Sequence, residues 1–82
     1  MMGSRELGTL RVGDRATIEQ VGRPDTAIEL VRRLLEMGFL EGAQVEVLHE
    51  APFGRDPIAV RVRGATLALR RSEANQIKVS IL

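Results

Sequence analysis

The feature that most restricts how this chain folds is the absence of cysteine from a sequence of only 82 residues. A chain of this length holds one small domain. Without cysteine it has no disulfide, Cys-type zinc site, iron–sulfur ligation or cysteine nucleophile. Its stability must come from a hydrophobic core, for which 44% hydrophobic residues are sufficient. Because cores of this size are marginal, we expect the domain to gain stability when a partner or a second copy covers part of its surface, and a homo-oligomer is one expectation.

Helical periodicity occurs in one segment of the chain. Apolar residues recur at helical spacing between Ala27 and Met37. Gly38 follows, where the left-handed conformation that ends many helices costs glycine little. Thr26 and Glu29 have the spacing of a capping box, with Asp25 as an alternative cap. The sequence therefore predicts one amphipathic helix with a glycine at its end.

Much of the remaining sequence alternates between apolar and polar residues, which is typical of half-buried strands. We expect five strands, within Leu10–Val21, Ala43–Ala51, Ile58–Arg63, Ala65–Arg70 and Ile77–Ile81. Ser72 is the predicted cap of a helical turn before the last strand. Five short strands closing on one apolar face predict a mainly β fold, a small barrel, because closure removes exposed strand edges. Residues 1–6 are expected to be a flexible N-terminus and residues 7–82 the domain.

Residues that carry catalysis are scarce in this sequence. His49 is the only histidine, and the serines fall in a terminus, a cap and a final strand, at Ser4, Ser72 and Ser80. No nucleophile-elbow sequence is present. No apolar run approaches the roughly 18 residues of a membrane span, and residues 1–6 lack the apolar region of a signal peptide. We therefore expect a cytoplasmic protein that is not an enzyme and does not insert directly into a membrane.

A metal or cofactor site is not expected either. Glu46, His49, Glu50 and Asp56 are close in sequence, but on a regular strand the two glutamates share one face and His49 takes the other. Only a bulge would bring them together, so the favoured interpretation is a partly buried histidine beside a hairpin loop. The glycine-containing loops lack the Gly-Lys-Ser/Thr of a phosphate-binding loop, and no cofactor is predicted.

One basic surface is predicted on the strands at Ile58–Arg63 and Ala65–Arg70. The side chains expected to form one outward patch are Arg61, Arg63 and Arg70, with Arg55 and Arg71 near its edges. Arginine patches dock onto acidic protein surfaces or onto phosphates. The alternative is a solvated outer face whose arginines pair with Glu46 and Glu50 on the adjacent strand.

Phe53 is one of only two aromatic residues and is expected at a loop tip between Pro52 and Pro57. It either folds back to plug one end of the barrel, which we favour, or anchors a partner. Nucleic-acid binding through the arginines is an alternative function, although no nucleic-acid partner is expected. The 12 Lys+Arg are balanced by 11 Asp+Glu, and two phenylalanines offer few rings on which bases stack.

Several segments together resemble the FeoA family. Leu34–Val47 is similar to the family's helix end, glycine and Val-x-Val strand, and Ala51–Ile58 resembles its Ala-Pro-apolar-Gly-Asp-Pro-Ile motif. Val60–Arg71 looks like its next hairpin, Glu73–Val79 like its close and Leu7–Val21 like its opening. The resemblance covers nearly the whole chain, with two departures. Arg55 adds a residue to the loop motif, and Met37 stands before Gly38 where the family has leucine.

The resemblance implies an SH3-like barrel in the cytosol that accompanies the ferrous iron (Fe²⁺) transporter FeoB. Members of the family are regarded as accessory or regulatory binders of that transporter, so the implied partner is its cytosolic domain. No catalytic or metal-binding residue is carried over. The same barrel forms the C-terminal domain of iron-dependent repressors, so a module of such a regulator system is another alternative. The candidate partner-binding residues are Arg61, Arg63, Arg70, Phe53 and Arg55.

Overall fold

Six strands, rather than five, form one antiparallel sheet in the computed structural model, which describes residues 3–82. The strands are β1 (Ser4–Glu6), β2 (Arg15–Val21), β3 (Gln44–Glu50), β4 (Ile58–Val62), β5 (Ala65–Leu69) and β6 (Ile77–Ile81). They lie in the order β1-β6-β2-β3-β4-β5. The helices are α1 (Ile28–Met37) and α2 (Arg71–Ala74), and a 3₁₀ turn covers Leu7–Thr9. The predicted mainly β class is confirmed.

The additional strand, β1, lies in the segment for which the sequence predicts flexibility. Ser4 pairs with Ser80 and Glu6 with Lys78 on β6, and the buried Leu7 follows at once. The structure corrects that prediction at Ser4–Glu6, because backbone hydrogen bonds hold a short edge strand without any apolar periodicity. The same prediction also covers Met1 and Met2, which lie outside the described residues.

The sheet has two edges, β1 and β5, and no strand pairing joins them within residues 3–82. The sheet therefore keeps two edge strands, whereas the sequence predicts that closure removes them. One hydrophobic core nevertheless links the strands, the helices and the 3₁₀ turn. Its buried residues are Leu7, Leu10, Ala16, Ile18, Leu34, Phe39, Val45, Val47, Ile58, Val60, Val62, Leu69, Ala74, Ile77 and Val79. The alternation in β3, β4 and β6 thus identifies buried positions, as predicted.

The helix α1 ends as the sequence predicts but begins differently. Gly38 has a φ of 107°, and its N–H bonds back into the helix. The next residue, Phe39, donates its N–H to Leu34 O at 3.1 Å, and both side chains are buried. This is a Schellman cap with its usual apolar contact. The predicted capping box is wrong, because Thr26 Oγ1 instead accepts the Arg23 N–H and donates to Oε1 of Gln76, just before β6.

A bulge at Leu48 changes which side of β3 the following residues occupy. Val47 pairs with Val60, whereas His49 pairs with Ala59, so Leu48 is an extra residue in the ladder. Beyond the bulge, His49 shares the outer face with Ala59 and is exposed. The prediction of a partly buried histidine is therefore wrong. Glu50 now lies on the side of Ile58, toward α2.

The short helix α2 precedes β6 as the sequence predicts, but its cap is different. Ser72 lies inside the helix, and Arg70 is the residue before it. The Arg70 N–H donates a hydrogen bond to Glu73 Oε1 at 3.1 Å. Neither helix described in residues 3–82 has the length and apolar character that a membrane crossing requires.

Candidate protein-binding surface

Three arginines and one carboxylate line a groove near the turn of the β4–β5 hairpin. Arg15 on β2 and Arg61 on β4 flank Glu46 of β3 from the two neighbouring strands. The distance from Arg61 Nη1 to Glu46 Oε1 is 3.7 Å. Arg63 lies in the hairpin turn and lines the same groove of about 220 Å³. With three cations to one carboxylate, this turn-end cluster (Arg15, Arg61, Arg63) suits a further acidic group.

Arg70 lies at the opposite end of the hairpin. Arg61 pairs with Thr66, and β5 continues from there to Leu69 opposite Ile58. At about 3.3 Å per residue, Arg70 is about 13 Å farther along the strand than Thr66. The structure therefore does not bring Arg61, Arg63 and Arg70 into the single patch that the sequence predicts.

The loop Ala51–Pro57 presents the only large aromatic surface among the described residues. Phe53 is 90% exposed at its tip, so the favoured prediction that it plugs the barrel is wrong. Arg55 follows, with its Nε 3.8 Å from Glu50 Oε2, and the hairpin register places Arg70 beside the end of this loop. Phe53, Arg55 and Arg70 form a second group, the loop-end cluster.

Arg71 belongs to the interior framework rather than to an outward patch. Its Nε donates to Arg55 O at 2.7 Å, and its Nη1 donates to Gly8 O at 2.9 Å and Leu10 O at 2.8 Å. Its Nη2 donates to Glu50 Oε1 at 2.9 Å. Every guanidinium nitrogen thus has a partner inside the protein. Arg71 holds the loop, β3 and the 3₁₀ turn in place and is not available to a partner.

Two of the candidate arginines have a backbone conformation that is unfavourable for them. Among the described residues, Arg55, with a φ of 57°, and Arg63, with a φ of 50°, are the non-glycine residues with positive φ. Arg63 and Gly64 form a two-residue hairpin turn, both with positive φ, where Asn-Gly is the preferred pair. Residues kept in such strained positions cluster at functional sites. This observation favours both arginines as partner-binding residues.

The sequence pattern does not single out Arg15. It belongs to the turn-end cluster because β2 pairs with β3, although α1 separates these strands in the sequence. The available signal is its position at the start of the alternating segment before Ala16. That pattern places Arg15 on a strand face but does not identify the neighbouring strand.

The structure does not build a metal site from the acidic residues near His49. The bulge brings His49 to the face of Glu46 and moves Glu50 to Arg71. Within residues 3–82, no three His, Asp or Glu side chains are grouped closely enough to hold a metal ion.

A larger groove of about 540 Å³ lies at the β1 edge. Most of its charged groups already have partners within the protein. Arg23 is paired with Glu6, and Arg5 Nη2 donates to Thr9 O at 3.0 Å. Because these groups are already engaged, the groove offers less to a charged partner than the two arginine clusters do.

The fold and this surface define a class of protein, a small antiparallel β domain with an exposed aromatic loop and an arginine cluster near each end of one hairpin. Such surfaces are typical of protein-binding modules. The family model described as FeoA domain matches residues 5–81. The chain therefore belongs to the FeoA family, as its resemblance to the family implies.

Individual relatives agree with this assignment. The chain is 38% identical over 77 residues to an Fe(2+) transport protein A/Fe(2+) transporter FeoB fusion protein of Porphyromonas gingivalis, a match that covers 93% of this chain. The chain spans only 8% of the length of that fusion protein. The solution structure of FeoA from Chlorobium tepidum is 42% identical with a TM-score of 0.81, covering 94% of this chain and 70% of that one.

A third relative confirms the predicted SH3-like class. Stenotrophomonas maltophilia FeoA, crystallised with zinc and described as a prokaryotic SH3 domain protein, is 34% identical with a TM-score of 0.78. The match covers 90% of this chain and 87% of that chain. The zinc is a property of that crystal structure.

Proposed function

We propose that this protein is a non-enzymatic accessory of ferrous iron uptake that acts in the cytosol by binding the FeoB transporter. The observation that carries the proposal is the Porphyromonas gingivalis relative, in which Fe(2+) transport protein A and FeoB are one polypeptide. Linking two binding partners raises their effective concentration to about the millimolar range. A fusion is therefore favoured where the separate proteins work as a pair.

The loop-end cluster offers the strongest contact for such a partner. Phe53 is an aromatic side chain already placed in solvent, and removing it from water on binding contributes favourable free energy. Arg55 follows Phe53 in the loop, Arg70 lies beside the end of the loop, and both provide planar donors for carboxylates at the rim of the contact. We expect an apolar pocket with acidic surroundings on the transporter.

Binding of this kind regulates a transporter only if it distinguishes between two conformations. A partner shifts an equilibrium by its difference in affinity for the two states and by nothing else. We propose that the loop-end cluster binds one conformation of the cytosolic part of FeoB more tightly. This role requires no catalytic group on the accessory protein.

The proposal is tested by measuring binding of the full chain to full-length FeoB from the same organism in lipid nanodiscs, with empty nanodiscs as the reference. We expect saturable binding that Phe53→Ala weakens at least tenfold, as for a central aromatic anchor. The matched control is Ile28→Ala, which removes another exposed apolar side chain from a different element, α1, and leaves affinity within about twofold. Absence of binding by the unmodified chain overturns the proposal.

The same preparation tests the nucleic-acid alternative. Phosphate binding predicts an affinity for generic double-stranded DNA that falls steeply as salt rises. Arg61 is already paired with Glu46, and Arg55 lies near Glu50, which weakens the attraction of these two arginines for phosphate. We expect no DNA binding at physiological salt, and tight salt-dependent binding would favour the alternative.

A further inference from the structure

The edge strand β5 has hydrogen-bonding groups that no described residue uses. The turn Arg63–Gly64 makes Val62 and Ala65 a hydrogen-bonded pair, and pairs alternate along an antiparallel ladder. Thr66 and Ala68 consequently direct their N–H and C=O groups away from β4. Neither residue takes part in a backbone hydrogen bond to another segment within residues 3–82.

The two edges of the sheet differ in how they are protected. β1 has three residues, two of which, Arg5 and Glu6, are charged. β5 has the sequence Ala-Thr-Leu-Ala-Leu, without charge or proline, and its pairing with β4 shows no bulge. Short length, charge, proline and bulges are the devices that prevent an edge from adding a strand. β5 has no charged residue, no proline and no bulge, and it is therefore open to strand addition.

A shallow apolar depression lies beside this edge on the outer face. It has a volume of about 250 Å³ and is lined by His49, Glu50, Ala51, Pro57, Ile58, Ala59 and Ala68. Side chains of an added strand alternate between the two faces of the sheet. One that falls next to Ala68 meets this alanine-rich floor, which has room for an apolar side chain.

Charge at the two ends of β5 decides what kind of strand fits. Arg63 precedes the strand and Arg70 follows it, and neither forms an ion pair with another described residue. A second copy paired antiparallel about Leu67 would bring its Arg70 opposite Gly64, beside Arg63. Like charges in such positions are destabilising. Acidic residues at both ends of an added strand would instead pair with the arginines.

We propose that β5 adds an extended segment of FeoB, apolar in the middle and acidic at both ends, to the sheet of this protein. The inference rests on the proposed function and names the contact through which it operates. It also connects the two arginine clusters, since β5 runs from Arg63 in the turn-end cluster to Arg70 in the loop-end cluster. Main-chain bonds give such a complex its affinity, and the flanking charges fix its position.

Hydrogen–deuterium exchange of the full chain, with and without full-length FeoB in nanodiscs, tests the contact at residue resolution. The amides of Thr66 and Ala68 should exchange freely alone and slow at least tenfold in the complex. Leu67 is the internal control, because its N–H already faces β4. Its exchange reports the stability of the hairpin and should change much less.

A variant pair supplies an independent measurement. Ala68→Pro removes one outward N–H and keeps the bonds to β4, since proline is tolerated where the N–H faces away from the sheet. It should weaken FeoB binding at least tenfold, whereas Ala68→Ser, which retains the N–H, should bind within about twofold of the unmodified chain. An unfolding transition confirms that each variant is folded. If Ala68→Pro does not fold, the exchange data from the unmodified chain decide.

The possible results separate this inference from the proposed function. No binding by the unmodified chain overturns both. Binding without slower exchange at Thr66 and Ala68, or with equal affinity for Ala68→Pro, overturns the strand addition and leaves the proposed function standing. Concentration-dependent protection of the same amides without FeoB shows that a second copy occupies the edge, which also overturns the inference.

Discussion

Arg71 and Glu50, which are 21 residues apart in the sequence, are joined by a 2.9 Å hydrogen bond from Nη2 to Oε1. The same guanidinium donates to the carbonyl oxygens of Gly8 and Leu10. One side chain thus holds α2, β3 and the 3₁₀ turn together. Its exposed fraction is 21%, which limits competition from water and makes these bonds important for stability.

Replacing Arg71 with methionine should destabilise the protein substantially. Methionine keeps an apolar stem but leaves Glu50 and the Gly8 and Leu10 carbonyl oxygens without their donor. Bonds to charged groups contribute about 1.5–3 kcal/mol each and are not additive, so we expect a loss of about 3 kcal/mol in the free energy of unfolding. Urea unfolding of Arg71→Met measures it. The control Arg70→Met, at the exposed neighbour, should change stability by less than about 0.5 kcal/mol, and equal losses would contradict the assignment.

Gly8 has no room for a side chain, although its sequence context gives no sign of this. A Cβ there would lie 2.1 Å from Asn75 Oδ1 and 2.4 Å from Arg71 O. Gly8→Ala should therefore force the 3₁₀ turn away from α2 and destabilise the protein by about 2–3 kcal/mol. A Cβ at Gly3 meets no atom within 4 Å, so Gly3→Ala is the control. Similar urea midpoints for the two variants would show that the turn moves aside freely.

Features that depend on neighbours in the sequence were predictable. The alternation around Val45 and Val47 identifies β3, and Leu34, Gly38 and Phe39 form the helix end that their order indicates. Features that depend on distant pairing were not. β1 is a strand only because residues near Lys78 lie beside it, and no local pattern reports that contact.

In the candidate site, too, the features set by sequence neighbours were predictable and those set by distant contacts were not. Arg61 projects outward from β4, as the alternation predicts, and pairs with Glu46. The bulge at Leu48 reverses the faces of the residues after it, and only an apolar residue at a polar position hints at this. The framework role of Arg71 requires the carbonyl oxygens of the 3₁₀ turn, whose location follows from tertiary packing and not from the residue types near Arg71.

The two phenylalanines should respond to truncation in opposite ways. Phe39 is fully buried beneath the end of α1, whereas Phe53 is exposed. Phe39→Ala should cost about 3–5 kcal/mol, because it removes buried area and leaves a cavity. Phe53→Ala should change the free energy of unfolding by no more than about 0.5 kcal/mol. Chemical unfolding of both variants measures the difference, and a large loss for Phe53→Ala would indicate that the side chain packs on the protein after all.

Arg63→Asn should make the isolated protein more stable and its complex with FeoB weaker. Asparagine followed by Gly64 is the preferred pair for a turn with positive φ at both residues, and relief of the left-handed arginine is worth about 1 kcal/mol. Arg63 also lies near the C-terminus of α1, where its Cδ is 3.7 Å from the position of a Cβ on Gly38. An exposed cation there contributes about 0.3–0.5 kcal/mol, so the net gain should be about 0.5 kcal/mol.

Arg15→Asn is the matched control, because it removes a charge from the same cluster at an ordinary strand position and should not stabilise the protein. Urea unfolding of both variants measures the effect on stability, and the nanodisc measurement gives the effect on FeoB binding. A lower unfolding free energy for Arg63→Asn than for the unmodified chain would show that the arginine is not under strain.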